Sequence, residues 1–77
     1  MNKLRRKDLS RVMDKIQDVL SELSSLQEEE EEYRDSIPEN LQGYERYEQA
    51  DEACDNLCSA CDSLEEAISY IEDAISA

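Results

Sequence analysis

Three cysteines within eight positions, Cys54-x-x-x-Cys58-x-x-Cys61, are the side chains of this 77-residue chain best suited to chemistry. Thiolates are nucleophiles and soft-metal ligands, and on a helix the offsets i, i+4 and i+7 share one face. Little else in the chain supports them. There is no His, so a Ser-His-Asp or Cys-His centre cannot be assembled within it and the commonest metal ligand is missing. Three thiolates also leave a tetrahedral zinc site one ligand short unless a second subunit completes it. An odd number of cysteines crowded together is a poor disulfide framework, and it fits a reducing compartment where they stay thiols.

The second chemical feature is acidic. Glu28, Glu29, Glu30, Glu31 and Glu32 are consecutive, and twenty-one acidic residues against eight basic ones give a formal charge of −13. A field of this sign repels nucleic acid and anionic membrane, both of which are bound by neutralising phosphate with Lys and Arg. It favours a basic protein surface, through long-range steering. Calcium is not expected, because no segment has the Asp-rich twelve-residue loop with its central Gly.

So much charge with few aromatic residues is also a mark of disorder, unless the apolar residues are patterned. They are. Leu9, Val12, Ile16, Val19, Leu23 and Leu26 fall in alternating steps of three and four, and the count continues onto Glu30 and Tyr33. With Leu9 at heptad position a, the d row is Val12, Val19, Leu26 and Tyr33, and Met13 and Leu20 widen the stripe at e. The spacing predicts a first helix from about residue 5 to 34. A second stripe reads Tyr47, Ala50, Cys54, Leu57, Cys61, Leu64, Ile68, Ile71 and Ile75, with Ala53, Ala60, Ala67 and Ala74 at g. It predicts a second helix from about 44 to 76. Residues 35–43 hold the only Pro and the only Gly. Pro38 cannot continue a helix and pushes Ile37 toward an extended conformation, while Gly43 is free to take a positive φ just ahead of the second helix.

The fold class is all-α, an antiparallel two-helix coiled-coil hairpin forming a single domain. Folding back sets Leu26 against Cys54, Leu23 against Leu57, Val19 against Cys61, Ile16 against Leu64, Val12 against Ile68 and Leu9 against Ile71. It also sets Lys3, Arg5, Arg6, Lys7 and Arg11 beside Glu65, Glu66, Glu72 and Asp73, two blocks that each oppose their own helix dipole. One hairpin buries little, and Met13 and Leu20 on one flank and the alanine row on the other are left wanting cover. A homodimer forming a four-helix bundle is therefore expected.

The frame decides how the two chemical features are read. The cysteine spacing is that of the iron–sulfur motif of radical S-adenosylmethionine enzymes, which carry it on a loop of a barrel-type domain. Here the thiols lie within a regular helix, at a, e and a, where a free Cys acts as a small hydrophobe. No metal, no other cofactor and no catalytic residue is expected, and the chain is not read as an enzyme. The acidic run lies at the carboxyl end of the first helix, where it opposes the dipole and repels itself, and Glu30 occupies a core a position. The hairpin brings Asp35, Glu39, Glu45, Glu48, Asp51 and Glu52 to the same pole, relieved only by Arg34 and Arg46. Residues 1–15 carry six basic and two acidic groups, and residues 16–77 carry two and nineteen. The candidate partner-binding residues are Glu28 to Glu32 together with Glu39, Tyr44, Glu45, Glu48, Asp51 and Glu52, with Tyr44 as an aromatic anchor. The competing reading is a solvated helix end that only keeps the protein in solution. No apolar run approaches the length of a membrane span, and the basic start has no apolar stretch behind it, so a cytoplasmic protein is expected.

The segment Ile37-Pro38-Glu39-Asn40-Leu41-Gln42-Gly43-Tyr44-Glu45-Arg46-Tyr47-Glu48, followed by acidic alanine-bearing heptads, resembles a group of short acidic proteins encoded on phages and conjugative elements of Gram-positive gut bacteria. The likeness runs from about Leu4, and its distinctive part is the turn. Where that group usually has a capping Ser this chain has Tyr44, and where it has aliphatic residues or Ala this chain has Cys54 and Cys61. The resemblance implies a mobile-element setting, in which small acidic helical proteins inhibit host nucleases or DNA-binding proteins. An anti-CRISPR or anti-restriction role is what it implies here.

Overall fold

The computed structural model describes residues 1–77 as two long helices, α1 (Lys3–Asp35) and α2 (Glu45–Ser76), joined by a turn that contains one 3₁₀ segment (Glu39–Leu41). They pack antiparallel into a rod of 59 × 16 × 13 Å. The fold is the expected all-α hairpin.

α1 starts at Lys3 because Asn2 caps it, its side-chain oxygen accepting from the Arg5 N–H at 2.7 Å. It stops at Asp35. The Ser36 N–H still donates to the Glu32 carbonyl at 3.0 Å, and the Ser36 hydroxyl donates to the Tyr33 carbonyl at 2.7 Å. Pro38 then stands in extended backbone at φ −55°, ψ 143°, and the Leu41 N–H donates to its carbonyl at 2.8 Å to close the 3₁₀ turn. Tyr44, extended at φ −91°, ψ 158°, precedes α2 without a side-chain cap. Glu45 and Glu48 in the first turn complement the dipole instead. Gly43 does not use its freedom to take a positive φ: no residue of the chain has one. Extended residues on either side of the 3₁₀ turn accomplish the reversal, so no left-handed residue is needed.

Five residues are buried: Ile37 of the turn, and Ala50, Cys54, Cys61 and Ile68 of α2. None lies on α1. On α1 the half-buried residues are Leu9, Met13, Ile16, Leu20, Leu23, Gln27, Glu30 and Arg34 at a and e, with Ser10, Ser24 and Glu31 at the adjoining b position. The expected a/d seam is thereby corrected on this helix. Val12, Val19, Leu26 and Tyr33 are 39–53% exposed, and Met13 and Leu20 turn inward rather than flanking the pair. Two contacts show the rotation. Arg34 at e donates to Asp51 at e of α2 at 3.0 Å, while Tyr33 at d lies beside Arg46, which holds a g position. Size complementarity accounts for it: α2 buries the small side chains Ala50, Cys54 and Cys61 along its seam, which leaves room for the longer a and e side chains of α1. Each half-buried Leu or Ile of α1 contributes about 1 kcal/mol. No helix is long and apolar enough to cross a membrane.

Candidate functional site: an acidic pole around the turn

The last turns of α1, the connection and the first two turns of α2 form one end of the rod. Every candidate residue lies there. Glu28, Glu29, Glu32, Glu39, Tyr44, Glu45, Glu48 and Glu52 are exposed, while Glu30, Glu31 and Asp51 are half-buried. Three of the carboxylates are engaged within the chain. Asp51 accepts from Arg34, Glu31 accepts from Gln27 at 3.0 Å, and Glu45 accepts from Gln49 at 3.1 Å. Glu28, Glu29, Glu32, Glu39, Glu48 and Glu52 face solvent without a side-chain partner, and the half-buried Glu30 has none either.

Both cations of the pole are held inside it. Arg34 donates through Nε to Asp35 at 3.1 Å and through Nη1 to Asp51 at 3.0 Å. Those carboxylates, Asp35 foremost, raise its pKa above the ordinary guanidinium value. Arg46 donates through Nε to the Tyr33 hydroxyl at 2.6 Å, and its guanidinium lies over the Tyr33 ring, 5.7 Å from the centroid. Neither arginine reaches outward to screen the run at Glu28, Glu29 and Glu32.

Sequence reasoning missed a hollow of about 220 Å³ at the tip, lined by Ile37, Pro38, Leu41, Tyr44 and Arg46. Its signal was the pair Ile37 and Leu41 around Pro38, which the heptads leave over. Ile37 is buried, but Leu41 stays 43% exposed and Tyr44 64% exposed, so the cap is open. The pole can therefore offer negative charge and, between the charges, an apolar recess with an aromatic rim. Tyr44 belongs to that recess.

The cysteines are free, with Cys54 and Cys61 buried and Cys58 exposed. Burial pushes both buried thiols up; at Cys54 the pull of Arg34 opposes this, while Glu30, Glu31 and Asp51 reinforce it. They are protonated, weak nucleophiles near neutral pH. No group of three or more Cys, Asp or Glu side chains is gathered so as to hold a metal ion. No protein-family model, curated protein or solved structure matches the chain.

Proposed function

We propose that the protein is a non-enzymatic, acidic protein–protein interaction module, acting in the cytoplasm as a homodimer. It occludes a basic or nucleic-acid-binding surface of a host protein, as a mobile-element inhibitor of the anti-CRISPR or anti-restriction type does, and binds neither nucleic acid nor membrane itself. The observation that carries the reading is the run at Glu28, Glu29 and Glu32: exposed, unpaired, and placed where it weakens α1. Charge that costs the helix stability and finds no partner inside it has its use outside. Affinity capture from a Gram-positive bacterial lysate tests this, comparing the wild type with a variant carrying Gln at positions 28–32. Salt-sensitive recovery of a basic protein by the wild type, reduced at least tenfold in the variant, is expected. Equal recovery, or none from either, overturns it.

A second reading is favoured by the exposed row Val12, Val19 and Leu26. It makes the chain a structural coiled-coil module whose acidic pole only keeps it dissolved, and under it the Gln variant assembles and acts as the wild type does. Both readings include two copies. Light scattering at micromolar concentration is expected to give the mass of two chains, and the mass of one chain rules the homodimer out.

A further inference from the structure

One side of the rod carries an uncharged strip, bordered on α1 by Asp8, Lys15, Glu22 and Glu29 at g. On α1 it carries the exposed d row, Val12, Val19 and Leu26. The Tyr33–Arg46 contact shows that this row runs along the g side of α2, where Ala53, Ala60, Ala67 and Ala74 recur. The neighbouring c positions are Asn56, Ser63 and Tyr70, and all six charged residues between 53 and 77 lie on the other faces of α2, at b, e and f. In a chain that is 38% charged, an uncharged strip of this length is a surface kept for contact.

Its occupant is indicated by symmetry and charge. The aliphatic row is centred on Val19, and the alanine row is centred between Ser63 and Leu64. The Arg6 guanidinium donates to the main-chain oxygen of Ala77 at 2.9 Å, and in the register this sets the two centres lie at one level of the rod. A two-fold axis crossing the rod at that level maps each row onto itself, laying Val12 on Leu26 of the copy and alanine row on alanine row. Small side chains there let the two α2 helices approach closely. Charge selects the same orientation. Residues 28–52 hold eleven acids against Arg34 and Arg46, net −9, whereas at the other end the net +4 of residues 1–15 is balanced by Glu65, Glu66, Glu72 and Asp73. Rods packed head to tail set each negative pole beside a neutral end; rods packed in parallel set two negative poles together. The flanking Lys15 then meets Glu22 of the copy on both sides of the axis, while Asp8 against Glu29 is an adverse rim pair. About 32 Å of rod across two helices covers roughly 500 Å² per copy, or about 1,000 Å² in all, the lower limit of a specific interface.

We infer that the occupant is a second copy of this chain, packed antiparallel through the Val12, Val19 and Leu26 row and the alanine row. The acidic poles then stand at opposite ends of a four-helix bundle. This rests on the two-copy assembly proposed above and adds its face and direction. Val19→Cys places a thiol on the two-fold axis, and Ser21→Cys places one on the outer surface as a control for random collision. Each is oxidised at micromolar concentration, the disulfides are assigned by digestion and mass spectrometry, and wild-type mass is measured by sedimentation equilibrium. A mass of two chains with the 19–19 link at least tenfold more abundant than the 21–21 link is expected. A mass of two chains without that preference overturns the face and direction alone, and a mass of one chain overturns the assembly as well. Because Val19 is 53% exposed in the hairpin, the substitution is expected to leave the helical circular dichroism unchanged.

Discussion

The two helices carry their apolar residues in opposite ways. α2 buries Ala50, Cys54, Cys61 and Ile68, three of them small, whereas α1 carries larger side chains and buries none. A single partner helix can cover a methyl or a thiol completely, but it cannot cover a Leu on both sides. Small residues on α2 are thus enclosed by large ones on α1, which stay half open. The thin core of the hairpin is made by this asymmetry, with the most complete burial on the helix with the smaller side chains.

The largest test of that asymmetry compares truncations on the two helices. Ile68→Ala removes a buried side chain and is expected to cost about 2–4 kcal/mol, while Leu20→Ala on α1, half-buried, costs about half as much. Urea denaturation at one protein concentration reads both. A greater loss for Leu20→Ala would break the comparison.

The buried thiols sharpen it through pH. Burial raises the Cys54 and Cys61 pKa values in the folded chain, so the unfolded chain releases these protons first. Their contribution to stability is complete below the ordinary thiol value of about 8.5 and is lost as pH rises through the folded values. The urea midpoint is expected to fall as the pH rises above about 8.5, and that of the Cys54→Ala, Cys61→Ala double variant to fall less. An equal fall in both would mean that the burial of α2 is not what this pH range reads.

The same pole treats acid differently on the two helices. Glu28, Glu29 and Glu32 oppose the dipole at the end of α1, while Glu45 and Glu48 complement it at the start of α2. Gln at positions 28–32 is therefore expected to stabilise by about 0.5–1 kcal/mol at low salt, and Glu45→Gln with Glu48→Gln to destabilise by a similar amount. Salt shrinks both effects. Changes of the same sign would mean that net charge, not helix position, sets the cost.

The antiparallel hairpin and the acidic pole were legible because heptads, one Pro and charge runs are local signals. The rotation of α1 was not. Its apolar arc spans d, a and e, and either Val19 or Leu20 makes a reasonable seam by spacing alone. What decides is the partner: the small seam of α2 admits the longer e side chains, and Arg34 at e finds Asp51. The open cap has a related cause: by sequence Ile37 and Leu41 both close over the end of the pair, but the turn has no period to orient them, and only Ile37 is buried while Leu41 stays 43% exposed. Cys54 and Cys61 were legible as packing because each occupies a position where the stripe needs an apolar residue.

Gly43 gives the smallest effect and separates the connection from both helices. Placed between a 3₁₀ turn and a helix start, it is free to take a positive φ but does not, and a Cβ built on it meets nothing within 4 Å. Alanine there adds no strain and no clash. It does restrict the unfolded chain, so Gly43→Ala is expected to stabilise by about 0.5 kcal/mol, with the Ile68→Ala and Leu20→Ala costs unchanged when measured on top of it. A destabilisation would show that the reversal does require glycine, and that the extended residues Pro38 and Tyr44 do not by themselves bring α2 back onto α1.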